Sequence, residues 1–234
     1  MDKISTYIFV HNQDIILKND KTGKFNNLPD KKYVFLGKKE IDKIDSRDDV
    51  IVARNLKHNI EQYPKFCSFT GWYALWKNNL IQSEYVHLFE YDIKIKDKFY
   101  SEVEKAIIQN PEFIGYVPLP VEFSFINDGQ YLCNIFNLIK KKYNTDAELL
   151  LKDICQNRKH LEWSSTSNST FLTNTFNQYM EWFGGIMYEI GEDKMCGHAH
   201  ERSISMFYML FNKKIVITKY LITHYFLNSH SIAI

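Results

Sequence analysis

Two carboxylates separated by a single residue close an apolar run in the segment YVHLFEYDIKI, residues 85–95. On a β-strand, residues i and i+2 share a face, so Glu90 and Asp92 are predicted to point the same way and Tyr91 the opposite way. Like charges this close persist only if they are solvated, protonated or neutralised by a cation. Carboxylate oxygens suit Mg²⁺ or Mn²⁺, which take their other ligands from water and substrate phosphates. The pair therefore predicts a metal–diphosphate site, and a wet strand edge is the alternative for the pair taken alone.

A second group of reactive side chains lies in CGHAHER, residues 196–202. Here His198 and His200 precede a predicted helix start, and Glu201 falls in the first turn of that helix. An imidazole from either histidine could complete a metal shell, and Glu201 could act as a general base. The alternative is that Glu201 only complements the helix dipole and that the histidines are surface residues. An H-x-H pair is also the first part of the ligand motif in binuclear metallohydrolases, but the other histidines of this chain form no matching motif.

Composition limits the classes of protein to consider. The chain has 234 residues, is 45% hydrophobic and carries a formal net charge of +1. These values predict one globular domain over residues 1–234 and no general attraction to nucleic acid, so no nucleic-acid partner is expected. The four cysteines form no CxxC pair, which argues against a zinc knuckle or a disulfide framework. With no apolar run long enough to span a bilayer, we expect no integral membrane segment and a cytoplasmic protein, in the host cytoplasm if viral.

The elements that must position these residues alternate between strands and helices. A mainly parallel central sheet flanked by helices is therefore predicted, an α/β fold. In open sheets of this type, ligands bind beyond the carboxyl ends of the strands, where Glu90 and Asp92 are expected. Strands are predicted over 6–11, 32–37, 48–55, 85–95, 112–120 and 214–223, and helices over 66–80, 98–111, 131–144, 146–157, 172–185 and 200–211.

Between two of these helices, the segment HLEWSSTSNSTF is rich in hydroxyl side chains from Ser164 to Thr170. Such a loop can donate many hydrogen bonds to a ligand, and the alternative is a turn with a helix cap. Together with the aromatic face of Trp163, these hydroxyl donors suit a bound sugar, and the alternative is an ordinary surface loop.

Three segments together resemble small GT-A-type glycosyltransferases, in particular capsular-polysaccharide and large-DNA-virus enzymes. They are NIEQYPKFCSFTGWYALWKN, YVHLFEYDIKI and GHAHERSISMF, and the similarity runs from about residue 4 to 225. In such enzymes a helix rich in aromatic residues precedes the strand that carries the metal-binding acids, and a helix with a Glu-Arg pair lies near the C-terminus. The resemblance implies a GT-A-like, Rossmann-like sheet, a bound Mn²⁺ or Mg²⁺, and sugar transfer from a nucleotide diphosphate sugar to a hydroxyl.

The resemblance also implies roles for the metal-site residues. Asp92 is the expected direct metal ligand, and Glu90 contacts the metal through water or holds the donor ribose or sugar. A late-chain ligand is expected from His198 or His200. The usual motif is D-x-D, so the glutamate at the first position is a departure from the family pattern.

Further positions follow from the same resemblance. His11 and Asn12, directly after the first strand, fall where the fold receives the nucleotide. The segment after the third strand places Arg54, Asn55 and Lys57 near the diphosphate. The carboxylate that deprotonates the acceptor is expected to be Glu201 if the enzyme inverts.

The predicted activity is transfer of a hexose or deoxyhexose from a UDP-linked donor to a glycan or glycoprotein acceptor. Residues 1–110 are expected to hold the nucleotide sugar and metal, and residues 111–234 the acceptor. A sugar-1-phosphate nucleotidyltransferase would need a glycine-rich phosphate loop, which FVHNQD, residues 9–14, does not provide. A non-catalytic carbohydrate-binding protein and a metal-dependent hydrolase built on His198 and His200 are the remaining alternatives.

Overall fold

Strand β1 (Ile4–Val10) lies inside a sheet of seven strands in the computed structural model. The structure describes residues 3–116, 118–120, 129–157, 162–164, 166–190, 196–219 and 221–224. The other strands of this sheet are β2 (Lys31–Phe35), β3 (Val50–Val52), β4 (Tyr85–Glu90), β6 (Phe113–Gly115), β9 (Ser169–Leu172) and β10 (Ile215–Ile217). Their order is β10-β6-β9-β4-β1-β2-β3, and only β9 runs antiparallel to its neighbours. The predicted α/β fold with a mainly parallel central sheet is confirmed.

Four short strands form two small sheets outside the central one. They are β5 (Ile93–Ile95), β7 (Pro118–Pro120), β8 (Glu162–Ser164) and β11 (Ile222–His224). Strand β5 pairs with β11, and β7 pairs with β8, both antiparallel. The predicted strands over 85–95 and 112–120 are therefore each divided in two.

Helices cover both faces of the central sheet. They are α1 (Gln13–Thr22), α2 (Ser68–Lys77), α3 (Phe99–Ile108), α4 (Gly129–Tyr143), α5 (Ala147–Asn157), α6 (Thr173–Ile190) and α7 (Cys196–Leu210). Alternate residues of β1 enter opposite cores, because strand side chains alternate between faces. Tyr7 and Phe9 pack with α2, α4, α6 and α7, whereas Ile8 and Val10 pack with α1 and α3.

Helix α1 is fixed at both ends by local hydrogen bonds. The Asn12 side chain accepts a hydrogen bond from the Asp14 amide at 3.0 Å, as an N-cap does. Gly23 ends the helix in the left-handed region at φ 65°, and its amide donates to the Asn19 and Asp20 carbonyls. The resemblance placed Asn12 at the nucleotide, and the structure assigns its side chain to this cap.

Two predicted helix boundaries are wrong. Helix α6 continues through Gly184 and Gly185 to Ile190. An added Cβ at Gly185 would meet only the end of the flexible Lys142 side chain, and buried residues of the helix continue beyond it at Ile186 and Met187. Helix α7 begins at Cys196, which places the backbones of His198, His200 and Glu201 inside the helix.

Gly71 allows α2 to pack closely against β1. A Cβ added there would lie 2.5 Å from the buried Phe9 ring and 3.2 Å from Leu36 Cδ2. We expect Gly71→Ala to lower the free energy of unfolding by about 1–3 kcal/mol, because a filled core cannot take an extra methyl group. Urea denaturation measures this change.

Gly184→Ala is the matched control for that measurement. The nearest side-chain atom to an added Cβ at Gly184 is Trp76 Cζ3, at an ordinary contact distance of 3.7 Å. Alanine in a helix interior is favoured over glycine, so this control should gain up to about 1 kcal/mol. Equal stability of the two variants would contradict the close-packing interpretation of Gly71.

Candidate active site

A cleft of about 310 Å³ opens at the carboxyl ends of β1, β2 and β4. The chain leaves β1 towards β2 on one side and returns to β4 on the other, so this is a topological switch point, where open α/β sheets bind ligands. The described lining residues are Phe9, Val10, His11, Leu36, Gly37, Glu61, Pro64, Cys67, Ser68, Thr70, Glu90, Tyr91 and Asp92. His11, Glu90 and Asp92 were predicted site residues, and the structure brings all three together here.

Glu90 is the last residue of β4 and is held by the hydroxyl-rich segment. Ser167 Oγ donates to Glu90 Oε1 at 2.9 Å, and the Glu90 amide donates to Asn168 Oδ1 at 2.7 Å. Both partners are buried. The described part of this segment, 164 and 166–170, is therefore turned inward and fixes an acid of the cleft. The side chain of Trp163 lies outside the described residues.

Asp92 follows the end of β4, in the turn that leads to β5. Strand alternation therefore does not determine its direction, yet Asp92 and Glu90 line the same cleft. Lys24, from the loop after α1, donates to the carbonyl of the neighbouring Tyr91. Burial lowers the pKa of the Lys24 ammonium to about 8, and the charge of Asp92 partly opposes that shift. The acid thus lies beside a half-buried cation.

Glu61 is a cleft residue that the sequence interpretation missed. Its side chain is buried at 7% exposure, and one carboxylate oxygen accepts a hydrogen bond from the Gly37 amide. The other oxygen, Oε1, has no hydrogen-bond partner among the described residues. A buried acceptor without a partner is costly, which suits a site that receives hydroxyl or N–H donors from a ligand. The only sequence signal was an acid directly after the buried Ile60, inside the NIEQYPKF segment of the resemblance.

The charged side chains in the described lining of the cleft are mainly acidic. Its described lining contains three carboxylates, Glu61, Glu90 and Asp92, and neither lysine nor arginine. The first turn of α2 contributes Ser68 and Thr70, so a helix N-terminus with its partial positive charge faces the same space. A diphosphate entering this cleft needs a further cation to balance the acids.

His11 lies at the mouth of the cleft with its ring edge-on to Tyr91 at 5.1 Å between centroids. Burial lowers the pKa of His11, Lys39 acts in the same direction, and Asp92 opposes both. The imidazole is therefore neutral near pH 7 and can both donate and accept a hydrogen bond.

The predicted diphosphate residues after β3 do not line the cleft. Arg54 Nη1 donates hydrogen bonds to the carbonyls of Gly37 and Lys39 at 2.8 and 2.9 Å. The Arg54 side chain therefore holds the segment after β2 in place. Asn55 and Lys57 are exposed and are not among the described lining residues.

His200 does not line the cleft that contains the acid pair. His200 is buried, its Nδ1 lies 3.0 Å from the Tyr179 hydroxyl, and its ring is perpendicular to Trp72 at 4.4 Å. It therefore lies neither at the surface nor in the lining of the cleft. The side chain of His198 lies outside the described residues. Glu201 is half-buried, and its Oε2 lies 3.9 Å from Arg202 Nη1. It is not among the described residues that line the cleft.

Helix α7 approaches the cleft at its beginning. A Cβ added at Gly197 would lie 3.9 Å from Sγ of Cys67, which is a lining residue. Among the residues that the structure describes, no group of three or more His, Cys, Asp or Glu side chains is arranged to hold a metal ion. An ion bound here would take most of its ligands from water and from the substrate.

The comparisons with known proteins support the fold. No protein-family model and no curated protein sequence matches the chain. The solved apo structure of the bifunctional glycosyltransferase WbbM matches with a TM-score of 0.64 and 14% identity, over 95% of this chain and 45% of that chain. This chain shares the fold of that part of the WbbM structure. At this level of identity the likeness is one of fold, and the chain spans less than half of the WbbM structure.

Weaker matches are to the mannosyltransferase Ktr4p from S. cerevisiae. One structure has a TM-score of 0.44 and 14% identity, over 96% of this chain and 70% of that chain. Another, in complex with GDP, has a TM-score of 0.39 and 15% identity, over 87% and 66%. No described helix of this chain has the length and apolar character needed to cross a bilayer.

Proposed function

We propose that the protein is a glycosyltransferase that moves a hexose or deoxyhexose from a nucleotide diphosphate sugar to a hydroxyl of a glycan or glycoprotein. The observation that carries the proposal is the set of three carboxylates in a switch-point cleft of a glycosyltransferase fold. Nucleotides bind at such switch points, and a diphosphate beside these acids needs a cation. A UDP-linked donor is the first to test.

The donor set fits Mn²⁺ or Mg²⁺. Asp92 and Glu90 offer hard carboxylate oxygens, and these ions commonly take one or two protein carboxylates together with water and phosphate oxygens. When bound, the cation supplies stabilisation of the negative charge that develops on the departing diphosphate. Ser167 and Asn168 fix Glu90 in place through its side chain and its amide. Asp92 would contact the ion directly, and Glu90 would contact it through water or hold the ribose.

The other cleft residues bind and orient the donor. Glu61 accepts hydrogen bonds from hydroxyl or N–H groups of the nucleoside, because its buried oxygen has no other partner among the described residues. The neutral His11 imidazole contacts the nucleotide at the cleft mouth. Glu201, one helical turn beyond the Gly197 that approaches Cys67, takes the proton of the acceptor hydroxyl as that oxygen attacks the sugar. His198 remains the late-chain candidate for the metal.

Thermal unfolding with nucleotides tests the donor site. We expect UDP with Mn²⁺ to stabilise the protein by about 2.7 kcal/mol at a hundredfold excess over its dissociation constant. Uridine with Mn²⁺ is the matched control and should give a much smaller effect, since it lacks the diphosphate that completes the ion's ligand shell. The same series with GDP and guanosine identifies the base.

A transfer assay decides the reaction class. With a stabilising donor, the enzyme should release the nucleoside diphosphate faster when an acceptor glycan is present. Release of a free sugar that no acceptor accelerates would favour a hydrolase instead. If neither UDP nor GDP changes the melting temperature with Mn²⁺ or Mg²⁺, the donor site is not where we place it.

A further inference from the structure

A second cavity adjoins the cleft on the other side of Tyr91 and Asp92, which line both spaces. It measures about 640 Å³ and lies between α1 and β5. Its described polar lining differs sharply from that of the cleft, because Asp92 is the only acid. The remaining side chains with polar groups are Lys18, Asn19, Thr22, Lys24, Lys94 and the phenol of Tyr91.

The three lysines approach from different parts of the chain. Lys18 lies on α1, Lys24 follows that helix, and Lys94 lies on β5. An ammonium group donates hydrogen bonds and accepts none. Lys24 is half-buried, lies over the Phe25 ring at 4.7 Å and donates to the Tyr91 carbonyl, so its position is fixed by the fold. Lys18 and Lys94 are exposed at the rim.

Asn19 adds a buried donor to this lining. Its side chain is only 5% exposed, and Nδ2 has no hydrogen-bond partner among the described residues. The Asn19 backbone is held in the C-cap of α1, where its carbonyl accepts from the Gly23 and Lys24 amides. A buried amide donor without a partner costs free energy, and an acceptor atom from a ligand removes that cost.

We propose that this second cavity is an oxyanion-binding subsite that holds a phosphate or carboxylate group of the acceptor next to Asp92. A neutral sugar has hydroxyls that both donate and accept, whereas this wall of ammonium and amide groups offers donors. Three cations around one acid leave a positive excess that a negatively charged group balances. The role as acceptor subsite rests on the proposed function, and the binding of an anion does not.

Calorimetric titration tests the subsite with inorganic phosphate, sodium glucuronate and glucose as probes. We expect phosphate, glucuronate or both to bind and uncharged glucose not to bind. Comparison of the two anions identifies the source of the oxyanion. The titration is repeated with the cleft saturated by UDP and Mg²⁺, and anion binding should persist because Lys18, Asn19 and Lys94 do not line the cleft. Competition by UDP would place the anion in the nucleotide cleft and overturn the proposal.

Two double variants with equal net charge decide whether these lysines form the site. Lys18→Glu/Lys94→Glu should weaken anion binding by about tenfold or more, as expected for reversing two rim charges. Lys21→Glu/Lys96→Glu is the control, since both lysines are exposed nearby but do not line the cavity. Equal losses in the two variants, or no anion binding by the native protein, would refute the subsite.

The two proposals fail separately. If phosphate binds through Lys18 and Lys94 but no nucleotide stabilises the protein, the anion subsite stands and the donor site falls. If UDP binds with Mn²⁺ and no anion binds, the donor site stands and the subsite falls. Asn19→Leu provides a further check, because it removes the buried donor without changing the charge and should weaken phosphate binding while the protein stays folded.

Discussion

Asp92→Asn is expected to lower the rate of sugar transfer by about 10²–10³-fold, the usual effect of removing one electrostatic stabiliser of a developing charge. Asn keeps the shape of the side chain but loses the negative charge that holds the divalent ion. The variant should also lose the stabilisation by Mn²⁺ with UDP, because Ser167 and Asn168 hold Glu90 in its own position and keep it from moving into that of Asp92. Steady-state kinetics and thermal unfolding measure the two effects.

The matched control is Asp97→Asn. Asp97 is an exposed aspartate five residues further along, and it lines neither cavity. It should retain both transfer activity and the metal-dependent stabilisation. An Asp92→Asn variant that still responds to Mn²⁺ with UDP like the native protein would refute the metal assignment.

Acidification from pH 7 to pH 5 is expected to destabilise the protein strongly through two buried histidines. Burial lowers the pKa of His87 and of His200 to about 3, so both stay neutral in the folded protein. The unfolded chain takes up a proton at each below about pH 6.5. Stability is therefore lost as the pH falls from about 6.5 towards 3, at about 2 kcal/mol for each histidine by pH 5.

The surroundings of the two rings explain the direction of this effect. His200 contacts Phe69 and Trp72, and its Nε2 has no hydrogen-bond partner among the described residues, so a proton there would create a buried charge. His87 stacks on Phe89, and its Nδ1 is hydrogen-bonded to the Thr170 hydroxyl. Neither ring has a described carboxylate partner that would stabilise the charged form.

Urea denaturation at pH 7 and pH 5 measures the loss. In His200→Gln and His87→Gln, the difference in unfolding free energy between the two pH values should shrink by about 2 kcal/mol each. The control is His58→Gln, since His58 is exposed, and it should leave the difference unchanged. A native protein equally stable at both pH values would show that these histidines are not held neutral.

Local sequence patterns were sufficient for strands β1, β2 and β4 and for the position of the acid pair at the end of β4. Strands β1, β2 and β4 are short apolar runs whose alternate residues fill two cores, and that alternation is a property of the strand itself. The acids directly after such a run come to the carboxyl edge of the sheet once the strands are parallel. For the same reason His11, directly after β1, reaches the cleft.

Local sequence patterns did not predict features that depend on contacts between residues far apart in the chain. Gly184 and Gly185 lie inside α6, where the burial of Ile186 and Met187 continues the helix beyond a glycine pair that was predicted to end it. The hydroxyl-rich segment was predicted to contact an acceptor or to form a turn, and the local pattern did not predict that its described part holds Glu90 across 77 residues of chain. His200 is enclosed by aromatic side chains of α2 and α6, so its burial was not visible in GHAHER.

The sequence by itself determined the α/β order of elements and the placement of Glu90 and Asp92 at a strand end, because apolar periodicity and chain direction are local properties. Only the tertiary structure decided what surrounds those acids. Glu61 lines the cleft from a loop 29 residues before Glu90. Lys24 lines the second cavity from a loop 68 residues before Asp92. Burial and charge balance depend on such long-range contacts, which packing creates and a linear pattern does not contain.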